Sequence, residues 1–292
     1  MRELKLIEQI KKRAGRPGKG VKVGIGDDCA VLEYDSTRYL LWATDMLVEG
    51  THFDKRADYK KIGRKAVAVN ISDIAAMGGC PKYITVSLGI PSGLKDTAVQ
   101  TIYDGIFNIC GEYGIKIVGG DTNRSGKLII DVSIIGLVKK EHLVRRSGAR
   151  EGDAILITGP VRNGKKEHLD FSPCLKESRF LAGKYKISSM IDVSDGIAMD
   201  MGRICSESGV GCQLHAGDIP LSKGLSINDA LYYGESFELL FTTSKKQAKD
   251  LLKRKKTRYF IIGEVVSGKN GLKLINGKGR AETLKMKGFE HI

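Results

Sequence analysis

Residues 59–81 read YKKIGRKAVAVNISDIAAMGGCP. Within this stretch Ile62, Ala66, Val69, Asp73 and Met77 recur at spacings of four, three, four and four, the period of one helix face. The spacing predicts a helix over about 59–77, and it puts a carboxylate, Asp73, on the apolar stripe. A carboxylate in that position has to be paired, bound to a cation or set at the edge of a cleft, because a bare buried charge is very costly. The fold must therefore build something around Asp73.

Upstream, strand candidates lie at 21–25, 29–34 and 38–43, and downstream at 83–90 and 128–138, each rich in Val, Ile, Leu or Tyr and bounded by Gly, Asp or Pro. A second helix is expected at about 95–113, with Val99, Ile102, Ile106, Ile109 and Tyr113 on its stripe and Gly114 as its C-cap. The polar run EHLVRRSGAREGD (141–153) marks a junction, so the expected domains are 1–143 and 144–292. The second part is expected to hold strands at 154–158, 188–193, 237–242 and 259–266. Its helices are expected at about 196–208 and, Lys-rich, at 244–256, after a basic, weakly patterned stretch at 159–187. There is no internal repeat. Strands mixed with helices point to a two-domain α/β or α+β architecture.

The 292 residues include 48 Lys+Arg and 34 Asp+Glu, a formal charge of +14, which favours polyanionic company, either nucleic acid or phosphorylated small molecules. No run approaches the ~18 apolar residues of a membrane span, and the N-terminus carries no secretory pattern, so a cytoplasmic protein is expected. The six cysteines form no C-x-x-C pair and are expected to be reduced core thiols, with Trp42 also in the core. No helix-turn-helix, RRM or zinc-finger pattern accompanies the basic run KKRAGRPGKGVK (11–22), and aromatics are only 7%, so a nucleic-acid-binding role is disfavoured.

The aspartates carry more information. Asp27 and Asp28 follow VKVGIG, Asp45 lies in LLWATDML, Asp121 follows IKIVGG, and Asp192 and Asp195 lie in SSMIDVSDG. Each is expected at or beside the end of an apolar segment, where site loops begin. Carboxylates converging on one place repel unless cations intervene, and hard oxygen ligands favour Mg²⁺ with phosphate oxygens and water. Glycine-rich turns and a basic surface add to a reading of phosphoryl chemistry. The run GPVRNGKK (159–166) nearly spells a P-loop, but Lys166 stands where Ser or Thr should hold Mg²⁺, and Pro173 cuts short the helix. GIGDD (24–28) lacks the third glycine of a dinucleotide fingerprint. Of the histidines, His52 in EGTHF is expected to face the site, and His142, His168, His215 and His291 to lie at the surface or junction.

Taken in order, GIGDDCAV (24–31), ATDMLVEGTHF (43–53), GRKAVAVNISDIAAMGGCP (63–81), GGDTN (119–123), RSGAREGD (146–153) and DVSDGIAMD (192–200) closely resemble the thiamine-monophosphate kinase family, of the aminoimidazole ribonucleotide synthetase-like superfamily. The resemblance implies a two-domain α/β fold whose N-terminal domain forms a β-barrel across a homodimer. It implies an ATP-dependent, Mg²⁺-assisted transfer to thiamine monophosphate, with several Mg²⁺ ions. Carried over by position, it implies metal sites at Asp27, Thr44, Asp45, Asp73, Asp121, Asp192 and Asp195. ATP contacts are implied at Tyr103, Gly120, Asp121, Arg146 and Ser194, and acceptor contacts at His52, Glu235 and Phe289.

Departures cluster at the acceptor end. The family's Gly-Glu-Asp-Tyr-Glu-Leu reads GESFEL here (234–239), so Ser236 and Phe237 replace Asp and Tyr, and the C-terminal Gly-Trp-x-His-Phe reads GFEHI (288–292). The 159–187 segment is shorter and more basic than the family's. The readings left open are a superfamily relative with another phosphorylated or carboxylated acceptor and, more remotely, a nucleic-acid-binding protein.

Overall fold

The structure, a computed structural model, describes residues 2–162, 164, 168–254 and 258–288. The first part contains α1 (Arg2–Ala14), β1 (Val21–Val23), β2 (Ala30–Glu33), β3 (Arg38–Val48), α2 (Tyr59–Ala76), β4 (Cys80–Pro91), α3 (Asp96–Tyr113), β5 (Lys116–Ser125) and β6 (Ile129–Lys139). The second contains β7 (Asp153–Ile157), α4 (Leu175–Lys184), β8 (Ile187–Asp192), α5 (Ile197–Ser208), β9 (Val210–His215), α6 (Ile227–Tyr232), β10 (Leu239–Ser244), α7 (Lys245–Leu252), β11 (Phe260–Ser267), β12 (Leu272–Ile275) and β13 (Ala281–Thr283).

The first six strands form one sheet in the order β1-β2-β3-β6-β4-β5, antiparallel except for β4 beside β5. The crossover helices α2 and α3 cover one face. Along β6 every second residue is buried, Ile130, Val132 and Ile134 among them, as one covered face requires. Helix α2 begins where the Asp58 side chain accepts the N–H groups of Lys60 and Lys61, a cap worth about 1 kcal/mol. Helix α3 ends at Gly114 in the left-handed conformation. The two helices touch backbone to backbone: a Cβ on Gly63 would meet the Ile102 carbonyl oxygen at 2.0 Å, and one on Gly105 that of Lys60 at 1.9 Å.

The other face of this sheet is uncovered and partly apolar. Trp42, Met46 and Tyr83 are each about half exposed there. Trp42, expected in the core, stands on this face with its Nε1 donating to Ser133 Oγ at 2.7 Å. The sheet is open, with β1 and β5 as edges, and among the described residues no barrel closes within one chain.

The second sheet runs β13-β12-β9-β11-β7-β10-β8. Strand β7 is buried at every residue because helices flank both faces. Ile155 and Ile157 pack toward α5 and α6, and Ala154 and Leu156 toward α4 and α7. Five cysteines are buried and Cys80 is half-buried, all as free thiols. Among the described residues no helix is long and apolar enough to cross a membrane.

Some expectations need correction. Strand β3 continues to Val48, so Asp45 lies inside a strand, and Asp121 lies inside β5, not at strand ends. Helices α1, α4 and α6 and strands β5, β9, β12 and β13 have no counterpart among the expected elements, and the Lys-rich helix is confined to Lys245–Leu252.

Candidate active site

A cavity of about 920 Å³ lies between the two sheets, walled by α1, β3, α2 and the loops after β1, β8 and α6. Asp73 enters it from α2, Asp192 from the end of β8 and Asp28 from the loop after β1, and one carboxylate oxygen of each lies within 4.8 Å of the other two. Burial raises the pKa of Asp73 well above the usual carboxylate value, and the charges of Asp45, Asp192 and Asp28 add to it. Asp192 is raised for the same reasons, burial first and Asp28 next, while the Ser72 hydroxyl, 2.5 Å away, works in the other direction.

Asp28 Oδ1 accepts from Arg146 Nη2 at 2.8 Å. Its other oxygen is buried and has no hydrogen-bond partner among the described residues. An orphaned carboxylate oxygen beside two repelling carboxylates is the donor set of a hard divalent cation, and the residues fit one. Asp27, the neighbour singled out by the resemblance, stands outside this trio. Its Oδ1 takes the backbone N–H groups of Asp28 (3.1 Å) and Arg146 (3.2 Å). Burial and the adjacent Asp28 push it up to about 7.

At one side Arg203 is held as a fork, Nη2 to Asp195 Oδ2 at 2.5 Å and Nη1 to Asp200 Oδ1 at 2.7 Å. Asp200 Oδ2 reaches back to the N–H groups of Asp195 and Gly196, both at 3.1 Å, at the start of α5. Burial pushes Asp200 up to about 7 against the pull of Arg203. Leu4 and Ile7 of α1 line the cavity, and Lys11 of α1 pairs with Glu207 of α5 at 3.2 Å.

At the opposite end the Lys65 ammonium donates to His52 O (3.1 Å), to His168 Nδ1 (2.7 Å) and to Glu235 Oε1. The His52 ring itself accepts the Val48 N–H at 2.9 Å through Nδ1. His168 thus belongs to the site, against the expectation of a surface histidine.

Thr44, Asp45, His52, Asp73, Arg146, Asp192, Ser194, Asp195 and Glu235 all line the cavity. Tyr103, Gly120 and Asp121 do not. In the sheet, Asp45 lies in register with Val132, Val86 and Gly120, whereas Asp121 lies in register with Ser87, Asp131 and Met46. Because successive side chains alternate across a sheet, Asp45 turns to the helix-covered face and Asp121 to the uncovered one, with two strands between them. Gly120 is tight for a backbone reason, since a Cβ there would meet Val86 O at 1.9 Å. Phe289 lies outside the described residues, as do His291 and three residues of the near-P-loop, Asn163, Lys165 and Lys166.

The aspartate pattern pointed to Asp28 together with Asp27, whereas the resemblance implied a metal position at Asp27 alone; Lys65, His168 and Arg203 were missed as site residues. For Lys65 a signal existed: Lys65, Val69 and Asp73 follow one another at intervals of four, a single row on α2.

Residues 26–138 match the family described as AIR synthase related protein, N-terminal domain, and residues 125–274 its C-terminal domain. Thiamine-monophosphate kinase of Buchnera aphidicola subsp. Schizaphis graminum is 34% identical, over 99% of this chain and 98% of its own, and that of Escherichia coli K12 is 32% identical over the same shares. A solved structure of AaThiL complexed with AMPPCP and TMP superposes with a TM-score of 0.86 at 30% identity, over 99% of this chain and 97% of that one. Hydrogenase maturation protein HypE with ATP shares the fold, with a TM-score of 0.73 at 21% identity over 89% of this chain and 88% of that one.

Proposed function

The chain belongs to the thiamine-monophosphate kinase family of AIR synthase related proteins, and on that premise we propose that it transfers the γ-phosphoryl group of ATP to thiamine monophosphate, giving thiamine diphosphate and ADP. The observation that carries this reading is the buried trio Asp28, Asp73 and Asp192, with its orphaned oxygen, in a cavity that also holds Arg146 and Arg203. Such a cavity suits a polyphosphate bound with divalent cations.

In this reading Asp28, Asp73 and Asp192, with Asp45 beside them, hold Mg²⁺, and Asp27 supports the loop that carries Asp28. Thr44, whose hydroxyl donates to Asp131 Oδ1 on the uncovered face, goes with Asp121. When bound, Mg²⁺ neutralises phosphate oxygens on which charge moves during transfer. Arg146 and Ser194 contact the nucleotide. Asp195 faces the same region but is engaged by Arg203, so it orients that guanidinium as well as offering a carboxylate. The acceptor is already an anion and needs no base. The work of the chain is to hold two phosphates in line and to exclude water, which is where proximity supplies most of the rate. His52 and Glu235 mark the acceptor end, and Phe289 is assigned there from the family pattern.

Tyr103, Gly120 and Asp121 serve the nucleotide site of a second copy. The uncovered sheet face, with Trp42, Met46 and Tyr83 half exposed, and the free edges at β1 and β5 support a homodimer in which two such sheets close a barrel. The test is direct: protein, Mg-ATP and thiamine monophosphate, with ADP and thiamine diphosphate quantified with and without EDTA. Equimolar, EDTA-sensitive products are expected. ATP binding without diphosphate formation would move the acceptor assignment elsewhere.

A further inference from the structure

Lys65 is among the largest fully buried side chains of the described residues. An ammonium has three protons to donate, and the three acceptors around this one come from three separate segments: the turn after β3 (His52 O), the 159–187 segment (His168 Nδ1) and the loop after α6 (Glu235 Oε1). With its protons committed and its side chain without exposure, Lys65 has nothing left to offer a substrate. It can act only through the groups it holds.

The loop that carries one of them is strained. Glu235 and Phe237 sit at φ 66° and 54°, a left-handed backbone that costs a residue with a Cβ about 1 kcal/mol or more. The loop is pinned by its own amides: Glu235 N–H to Ser194 O at 2.8 Å, and Ser236 and Phe237 N–H to Val193 O at 3.1 and 2.9 Å. Gly234 permits the approach, since a Cβ there would meet Ser194 O at 1.8 Å. The Glu235 side chain is then aimed by Lys65 and approached by His168, whose Nδ1 is 3.3 Å from Oε2. Burial and the neighbouring Lys65 charge lower the His168 pKa to about 4, so the ring is neutral and accepts from the ammonium.

The same short segment supplies a second contact. Phe171 stacks on Phe237, centroids 4.1 Å apart and planes 9° from parallel, and both rings are buried. Ser236 and Phe237 are where this chain departs from the family's acceptor motif, and 159–187 is where it departs in length.

Resting on the kinase reading above, we infer that Lys65 is a positioning residue for the acceptor, the centre of a clamp in which His168 and Phe171 of the shortened segment hold the GESFEL loop and aim Glu235 into the cavity. The clamp sets acceptor affinity and leaves the nucleotide end alone.

The test compares Lys65→Met, His168→Leu and His168→Gln, the last keeping a side-chain oxygen that can accept from the ammonium. The expected result is an acceptor KM raised by about tenfold or more in K65M and H168L, nucleotide affinity within about twofold of wild type, and recovery of most of the acceptor loss in H168Q. In the ligand-free proteins, amide hydrogen exchange over 233–237 is expected to quicken about tenfold in K65M and H168L but not in H168Q. Folded K65M and H168L with wild-type exchange over 233–237 would overturn the clamp. So would acceptor and nucleotide affinities that fall together. If K65M does not fold, the H168L and H168Q pair decides. If wild type makes no thiamine diphosphate, the kinase reading fails, and the exchange comparison still judges the clamp on its own.

Discussion

The Ser72 hydroxyl on α2 donates to the buried Asp192 carboxylate at the end of β8, 2.5 Å away, and so joins a helix of the first sheet to a strand of the second at the site itself. The bond gives a partner to a carboxylate whose pKa burial and neighbouring charge hold well above the usual value even with that bond in place. Ser72→Ala leaves Asp192 short of a partner in a dry place. A loss of about 1–3 kcal/mol is expected, read as a lower denaturant midpoint at unchanged slope, together with reduced turnover.

Asp73→Asn removes one of three mutually repelling buried carboxylates. In EDTA the variant is expected to melt several degrees above wild type, because the repulsion is relieved where no cation offsets it. Added Mg²⁺ and nucleotide should stabilise wild type strongly and the variant weakly, and turnover should be lost. A variant less stable in EDTA would mean that the trio is not under electrostatic strain.

Asp45 and Asp121 occupy opposite faces of one sheet, so a single chain cannot bring both to one cavity. Asp45→Ala and Asp121→Ala should each abolish turnover. Mixed and allowed to exchange subunits, the two inactive proteins should regain about a quarter of wild-type activity, because half of the dimers would carry one intact site of two. No recovery in a mixture shown to contain heterodimers would remove Asp121 from a shared site.

His168 predicts a pH dependence whose sign follows from its lowered pKa. Between its ordinary 6.5 and about 4 the unfolded chain binds a proton that the folded chain refuses, so stability is full above pH 6.5 and falls as pH drops toward 4. The groups facing the ring are Lys65 and His52, which oppose its protonation, and Asp54 and Glu235, the acidic pair beside it. The fall is at most about 3 kcal/mol. Unfolding midpoints from pH 7 to 5 should decline less steeply in H168Q than in wild type, and parallel curves would contradict this.

Gly63→Ala should disrupt activity from a distance. Its Cβ has no room against the Ile102 carbonyl, so α2 must shift or rotate away from α3. Losses in both nucleotide and acceptor binding are expected, with correct secondary structure by circular dichroism.

Much of this was readable beforehand because it is local. The period of 59–77 located α2 and showed Asp73 as a charge in the wrong place, and the apolar runs located most strands. What escaped was long-range or against the usual habits of a residue type. Strand β5 reads KIVGGDTNRS, with one short apolar run and then turn residues, and only pairing with β4 makes it a strand. Aromatics usually lie in the core, yet the pleat places Trp42 on a face that one chain leaves bare. Lysine is almost never fully buried without partners, and those of Lys65 lie 13, 103 and 170 residues away, beyond any local pattern. His168 lost its role for the same reason.

The row Lys65, Val69, Asp73 has one more effect. At 1.5 Å of rise per residue, eight residues of α2 set these two charged groups about 12 Å apart along the axis. One belongs to the clamp around Glu235, the other to the acidic trio. On the proposed kinase reading, a single rod, gripped from behind by α3 without an intervening side chain, acts as a ruler between the place where one substrate ends and the place where the other begins. On that reading the span that two phosphates must cross to meet is graduated in helical turns.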